Sequence, residues 1–365
     1  MDHDRLGSNA AYMTELDAPG PAQRAKNTVV TYLYVHTPDE QFSYPTSRAS
    51  SDSAAVAMRY LECAATQAAS VRLRDDPVDF VLVTNLRDLR DPKAVTSRGV
   101  ALLDSMEAMG VQMLYADYAH RNRISVDMYP SSRYLLDAVV AVIADEPDDS
   151  EHRYWFTDVD CVWVDLDKVF AAAPPAGSVA CVYIPYPPDW DIIGTTPRRV
   201  GEFGRTLGDC PVPVPWVGGE LFGGTPRDLR HLIAECDVLD DQIGDNGDEV
   251  PAEEHLLTLV GGLGRVSFTD LCDVVWRLST GPRHEAPRHS NPGALGLWHL
   301  PSEKGLSFRR TAGEVLSGRT SRLRRDLTDP VRAMKRFNIE GTGLGRRIRD
   351  DGWIAVQRLR QMLPS

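Results

Sequence analysis

The segment "YWFTDVDCVWVDLD" (residues 154–167) begins as an apolar, strand-forming run and then presents Asp158 and Asp160, separated by a single valine. The run predicts a buried strand. Two carboxylates at this spacing repel each other, so they either lie in water or share a cation, and Mg²⁺ and Mn²⁺ prefer such oxygen ligands. The pair alone leaves both alternatives open. The second pair, Asp165 and Asp167, is typical of a helix N-terminus, where the helix dipole favours negative charge.

Strands and helices alternate upstream of this segment. Strands are predicted at 28–36, 78–86, 111–118 and 153–158, and helices at 50–74, 97–110 and 130–146. This order predicts an α/β fold with a mostly parallel central sheet. The aspartate pair would then lie at the carboxyl end of the last strand, where open α/β sheets bind ligands. No G-x-G-x-x-G follows the first strand, so the dinucleotide-binding fingerprint is absent.

Bulk composition limits the partners. The net charge of −12 argues against a nucleic-acid partner. The charge is unevenly distributed, because the chain from Leu306 onward carries fourteen Lys/Arg against six Asp/Glu. No run approaches eighteen apolar residues, so no membrane span is predicted. The N-terminus does not resemble a signal peptide, and we expect a cytoplasmic protein. The six isolated cysteines are typical of reduced core thiols, with a thiolate metal site or disulfides as alternatives.

Two further segments have the composition of ligand sites. "WVGGELFGG" (216–224) contains four glycines, which let a backbone approach a ligand closely; a bulged strand with a turn is the alternative. "PAEEHLLTLV" (251–260) presents Glu253, Glu254 and His255 at a predicted helix start. These three side chains line a site, or they form a solvated first turn.

The segment "HLPSEKGLSFRR" (299–310) adds a basic cluster to an otherwise acidic chain. It contains His299, Lys304, Arg309 and Arg310. Cationic side chains in such a cluster are suited to clamp a diphosphate. The alternative is a solvated basic loop.

Taken in order, these segments resemble the glycosyltransferase family of the blood-group A and B transferases and the α-1,3-galactosyltransferases (glycosyltransferase family 6). The resemblance covers residues 28–312 and is strongest over 154–260. It implies a GT-A fold, with a Rossmann-like nucleotide-sugar-binding half. It also implies retaining transfer of a hexose or N-acetylhexosamine from a UDP-sugar to a hydroxyl of a small-molecule or oligosaccharide acceptor.

The resemblance assigns roles residue by residue. Asp158 and Asp160 would hold Mn²⁺ or Mg²⁺, which neutralises charge on the leaving UDP. Glu253 would be the nucleophile or the stabiliser of an oxocarbenium-like transition state. The residues implied in donor binding are Arg133, Asp158, Val217, Gly218, Gly219, Lys304 and Arg310. His299 is similar to the third metal ligand of another retaining glycosyltransferase family.

Several positions depart from the family pattern. Ala252 stands where the family has an aspartate that binds sugar hydroxyls, and Glu220 replaces an aromatic residue. Leu257 replaces a polar residue. Gly219 leaves room at the 2-position of the sugar, which favours an acetamido sugar.

We expect a disordered lead-in at 1–27, a nucleotide-sugar-binding half at 28–165, an acceptor-binding and donor-closing half at 166–315, and a basic, partly helical tail at 316–365. The tail arginines would cover acidic surface, contact a second subunit in a homodimer, or dock on an anionic surface. An inverting glycosyltransferase or a sugar nucleotidyltransferase is the alternative function. A non-catalytic sugar-nucleotide-binding protein is the second alternative.

Overall fold

The computed structural model describes residues 26–36, 53–91, 94–120, 131–192, 194–244, 250, 252–278 and 291–339. Most of the predicted lead-in and residues 340–365 of the predicted basic tail lie outside these residues. Among the described helices, none combines the length and apolarity needed to cross a membrane.

The central sheet is mixed. Its strands are β1 (Asn27–Leu33), β2 (Asp79–Thr84), β3 (Gln112–Tyr115), β4 (Arg153–Thr157), β6 (Ser178–Ile184), β7 (Trp216–Gly224) and β8 (Ser267–Asp270). They lie in the order β3-β2-β1-β4-β7-β6-β8. Strand β7 is antiparallel to β4 and β6, and the other pairings are parallel. The prediction of an α/β fold with a mostly parallel central sheet is confirmed.

Helices cover both faces of this sheet. They are α1 (Ser53–Arg72), α2 (Ser97–Ala108), α3 (Tyr134–Ile143), α4 (Leu166–Ala171), α5 (Pro197–Leu207), α6 (Pro226–Ile243), α7 (Glu253–Gly262), α8 (Ser307–Leu316), α9 (Thr320–Thr328) and α10 (Pro330–Arg336). Asp165 caps α4 by accepting from the Lys168 amide, as interpreted from the sequence. Helix α5, absent from the sequence prediction, starts with an N-cap threonine, Thr196, and a proline at the first position, Pro197.

The alternation of side chains along β1 separates two apolar layers. Val29 and Leu33 belong to the cluster that α1, α2 and α8 cover, and Val30 belongs to the cluster that α3, α6 and α7 cover. Successive strand residues point to opposite faces, so the sheet is buried on both sides. All six cysteines lie in the described ranges as free thiols, and five are buried.

A three-stranded sheet lies beside the carboxyl end of β4. Its strands are β5 (Cys161–Trp163), β9 (Val275–Arg277) and β10 (Leu297–His299), in the order β5-β10-β9. In this register His299 lies opposite Cys161 on one side and Arg277 on the other. Because Asp160 immediately precedes β5, the small sheet brings His299 to the aspartate pair.

Candidate active site

The aspartate pair lies in a tight turn between β4 and β5. The Asp158 amide donates to the Glu220 carbonyl on β7 (3.2 Å), and the Cys161 amide donates to the Asp158 carbonyl (3.1 Å). The side chain of Asp160 is 1% exposed, whereas that of Asp158 is 27% exposed. One carboxylate is therefore buried and the other reaches the surface of the site.

His299 completes a set of three possible metal ligands. Its Nε2 lies 3.4 Å from Asp158 Oδ2 and 3.3 Å from Asp160 Oδ2. One ligand atom from each of the three side chains lies within 4.8 Å of the others. Two carboxylates and an imidazole are a donor set that Mn²⁺ and related divalent ions accept. The residues present thus fit the predicted metal, with His299 as the third ligand.

Lys304 and His299 balance the charge of Asp160. Lys304 Nζ lies 3.1 Å from Asp160 Oδ2. Burial raises carboxyl pKa values, but these two cations hold the pKa of Asp160 below its usual range. Partial burial and the nearby Asp160 raise the pKa of Asp158 to about 6, against the opposing charge of His299. Burial disfavours charge on His299, yet Asp160, Glu220 and Asp158 raise its pKa to about 9.

Tyr32, near the end of β1, belongs to the site and was missed from the sequence. Its hydroxyl donates to Asp158 Oδ1 (2.6 Å). Burial raises the pKa of Tyr32 well above its usual value, and the charges of Asp158 and Glu253 add to this effect. The sequence offered only the general rule that the carboxyl ends of parallel strands meet at one edge of a sheet, and the pairing of β1 with β4 is seen in the structure.

Glu253, the first residue of α7, is close to the glycine-rich strand. A Cβ at Gly219 would lie 2.9 Å from Glu253 Oε1, so glycine at this position permits the approach. Burial raises the pKa of Glu253 to about 8, and the charges of Glu254 and Asp158 contribute. Glu253, Glu254 and His255 are 9%, 5% and 0% exposed. The alternative of a solvated first turn is therefore wrong.

Glu254 is fully occupied by protein contacts. Its Oε1 accepts from the Gly219 amide (3.2 Å) and from Arg277 Nη2 (2.7 Å), and its Oε2 accepts from Trp216 Nε1 (3.0 Å). By contrast, Glu253 Oε2 has no hydrogen-bond partner within the described residues. Of the two neighbouring carboxylates, Glu253 is the one with a free oxygen.

Two predicted donor-binding arginines make their contacts elsewhere. Arg133 is buried; its Nη1 donates to Asp240 (2.6 Å) and its Nη2 to the Val250 carbonyl (2.9 Å). Arg310, in the first turn of α8, donates to the carbonyl of Arg336. The role of both arginines in donor binding stays a prediction.

Residues of the glycine-rich strand β7 contact two different neighbours, helix α7 and the side chain of Glu220. Gly219 faces α7, and the Val217 amide donates to Thr258 Oγ1 on the same helix (3.0 Å). Gly218 packs against Glu220 instead, since a Cβ there would lie 1.9 Å from Glu220 Oε2. The structure thus brings the metal ligands together with Lys304, and Gly219 together with Glu253. Donor contacts of Val217, Gly218 and Gly219 stay predictions.

No protein-family model matches the chain, and no curated protein matches it. Similar solved structures include the galactosyltransferase LgtC in complex with donor and acceptor sugar analogs (11% identity, TM-score 0.42, 82% of this chain and 96% of that one). An active-site mutant of LgtC shares 10% identity (TM-score 0.42, 75% and 86%). The apo bifunctional glycosyltransferase WbbM shares 12% (TM-score 0.42, 77% and 47%). These proteins are glycosyltransferases, the class that the sequence resemblance implies.

Proposed function

We propose that this protein is a metal-dependent, retaining glycosyltransferase. It would transfer a hexose or N-acetylhexosamine from a UDP-sugar to a hydroxyl of a small-molecule or oligosaccharide acceptor. The observation that carries this proposal is the convergence of Asp158, Asp160 and His299 to within 4.8 Å at the carboxyl end of β4. Ligands of α/β sheets bind at that end.

The three possible metal ligands, Asp158, Asp160 and His299, support binding of a nucleoside diphosphate together with a divalent metal ion. When bound, Mn²⁺ or Mg²⁺ supplies positive charge that stabilises the leaving diphosphate. Lys304 Nζ, 3.1 Å from Asp160, adds a second cation beside the same position. A buried ammonium there would donate to a diphosphate oxygen and favour departure of the nucleotide.

Glu253 supports a retaining outcome. A retaining transfer uses a carboxylate close to the anomeric carbon, as nucleophile or as stabiliser of developing positive charge. Among the described residues, Glu253 Oε2 is buried without a hydrogen-bond partner, and Oε1 lies beside Gly219. Its pKa of about 8 reflects burial and the neighbouring carboxylates. Neutralisation of Asp158 by a bound cation would remove one of these causes and favour the charged form of Glu253.

The sugar is less defined than the diphosphate site. Ala252, which is fully buried, offers no side-chain hydrogen bond to a sugar hydroxyl. The sequence resemblance at Gly219 favours an acetamido sugar, whereas in the structure Glu253 Oε1 and Glu254 occupy the position that a side chain at 219 would take. Competition between UDP-N-acetylhexosamines and UDP-hexoses would rank the donors.

Thermal-shift measurements with UDP-, GDP- and dTDP-sugars, with and without Mn²⁺, test the proposal. A donor at a hundred times its Kd adds about 2.7 kcal/mol to the free energy of unfolding, so we expect a higher Tm with one nucleotide sugar and Mn²⁺ together. If none raises the Tm in the presence of metal, the proposal is wrong. Retention or inversion follows from NMR analysis of the product anomer, and pyrophosphate release would identify a nucleotidyltransferase.

A further inference from the structure

Glu220 is a buried carboxylate that the proposed donor site does not use. It lies on β7 and its side chain is fully buried, at a position where the resembling family has an aromatic residue. A carboxylate removed from water is strongly destabilising unless it is paired. Its retention in the core therefore needs a specific partner.

The contacts of Glu220 join the two segments that supply the metal ligands. Its carbonyl accepts from the Asp158 amide (3.2 Å) and from Cys161 Sγ (3.6 Å). Its side-chain Oε1 lies 3.5 Å from His299 Nδ1. Glu220 thus contacts the turn that carries the aspartates through its backbone, and the histidine on β10 through its carboxylate.

The two ring nitrogens of His299 face different groups. Nε2 faces the aspartates at 3.3 and 3.4 Å, and Nδ1 faces Glu220. Histidines that bind metals through one nitrogen commonly donate the other N–H to a carboxylate, which fixes the ring orientation and the tautomer. Glu220 occupies the place of that carboxylate.

Arg277 fixes the Glu220 carboxylate and links it to α7. Its Nε forms an ion pair with Glu220 Oε1, and its Nη2 donates to Glu254 Oε1 (2.7 Å). Its Nη1 donates to the Tyr186 hydroxyl (2.9 Å). Because the Arg277 guanidinium is fixed by its contacts with Glu254 and Tyr186, it restricts the Glu220 carboxylate to one orientation. A continuous series of contacts therefore runs from His299 through Glu220 and Arg277, which is 12% exposed, to Glu254, next to Glu253.

Gly218 makes room for this carboxylate. A Cβ at Gly218 would lie 1.9 Å from Glu220 Oε2 and 2.6 Å from Ile184 Cδ1. Residues 218 and 220 are two apart on a strand and lie on the same face. The glycine and the buried glutamate thus form a steric pair.

We propose that Glu220, held by Arg277, is a positioning residue that orients His299 toward the metal. The inference rests on the proposed function, because it assigns to Glu220 a role in the metal site of that function. It predicts that Glu220 acts on metal affinity only through His299.

Mn²⁺ binding to the full chain, measured from the electron paramagnetic resonance signal of free Mn²⁺, tests this role without turnover. We expect Glu220→Gln to weaken Mn²⁺ binding about 10- to 100-fold, the usual cost of losing such a partner. Asp137→Asn is the matched control. Asp137 is a buried carboxylate that lies 2.7 Å from His120 Nδ1, outside the metal site, and its loss should leave Mn²⁺ affinity unchanged.

The same substitution made in a His299→Ala variant distinguishes a positioning role from a general structural defect. In a His299→Ala chain, Glu220→Gln should cause no further loss of Mn²⁺ affinity, since the residue through which it acts is gone. An equal loss in both backgrounds, or wild-type affinity in Glu220→Gln, would overturn the proposal.

If circular dichroism shows that Glu220→Gln does not fold, the Glu220→Asp variant is used to test the positioning role. The shorter side chain keeps a negative charge near Arg277 but withdraws from His299 Nδ1, so Mn²⁺ binding should weaken in a folded protein. Full affinity in Glu220→Asp would overturn the role of Glu220 while leaving the metal site intact. If the wild-type chain binds no Mn²⁺, the proposed function falls and the positioning role falls with it.

Discussion

Two clusters of opposite charges lie in this molecule, and they differ mainly in their access to water. The site cluster consists of Asp158, Asp160, His299 and Lys304. The tail cluster surrounds Asp326 and consists of Glu314, Arg322, Arg325, Asp326, Arg332 and Arg336. Lys304 Nζ lies 3.1 Å from Asp160 Oδ2, and Arg336 Nη2 lies 2.7 Å from Asp326 Oδ2. By distance alone the two clusters are alike.

The exposure of the surrounding cations separates them. Asp160 is 1% exposed and Lys304 12%. In the tail cluster the central pair, Arg336 and Asp326, is also largely enclosed at 5% and 15%, but Arg322 and Arg325 around it are 60% and 63% exposed. Charges removed from water interact strongly, and loss of one partner leaves the other uncompensated. Exposed pairs contribute about 0–1 kcal/mol, and salt weakens them. Acidic and basic side chains thus form a candidate metal site in one place and, in the other, an ion-pair network whose outer arginines are open to water.

The largest effect is expected from Asp160→Asn. Loss of this buried ligand should abolish detectable Mn²⁺ binding and lower sugar transfer by about 1,000-fold, since a catalytic metal supplies several kcal/mol. Asp326→Asn is the control, because it removes a carboxylate from the tail cluster. Near-normal turnover of Asp160→Asn, measured by release of nucleoside diphosphate, would show that the site cluster is no more functional than the tail.

Glu253→Gln tests a buried carboxylate beside the site cluster. Glu253 has a pKa of about 8, above its unfolded value, so its contribution to stability is present below pH ~4.5 and is lost as the pH rises to about 8. The neutral variant avoids this loss. Without metal at pH 7, the free energy of unfolding of Glu253→Gln should exceed that of the wild type by on the order of 3 kcal/mol. This gain should disappear near pH 4. Turnover of the variant should fall.

Denaturant unfolding of both proteins across this pH range measures the difference. Glu254→Gln is the matched control. Glu254 accepts from Arg277, from the Gly219 amide and from Trp216, so its neutral variant should be less stable than wild type. A pH-independent difference between wild type and Glu253→Gln would contradict the raised pKa.

Asp326→Asn should have a smaller effect on stability. Asp326 is 15% exposed, and Arg336, which is 5% exposed, retains Glu314 at 3.0 Å. We expect a loss of about 1 kcal/mol in the free energy of unfolding, measured with urea. A loss as large as that of a broken buried pair, about 3–5 kcal/mol, would show that the tail cluster is energetically buried.

Arg332→Gln should have the smallest effect. Arg332 is 49% exposed and lies 3.6 Å from Asp326 Oδ1 and 3.2 Å from Asp329 Oδ2. We expect a change below about 0.5 kcal/mol that disappears in 1 M salt. A larger effect that persists in high salt would remove the distinction between the two clusters.

Much of this organisation could be predicted from local sequence. The alternation of strand and helix patterns, the cap at Asp165 and the aspartate pair after β4 depend on neighbours along the chain. Asp158 and Asp160 follow an apolar strand, and a parallel sheet places such residues at its ligand-binding edge. The sequence pattern predicted that Glu253 begins a helix, but it did not predict that the side chain is buried.

What the sequence alone determined is therefore the order of the elements up to β4, the α/β class and the residues able to bind a cation. Tertiary structure decided which of them meet. His299 reaches Asp158 and Asp160 because β10 pairs with β5, and Glu220 reaches His299 because β7 lies beside β4. The physical reason is range: strand and helix periodicities arise from nearby residues, whereas the distance between His299 and Asp160 depends on the packing and register of segments far apart in the chain.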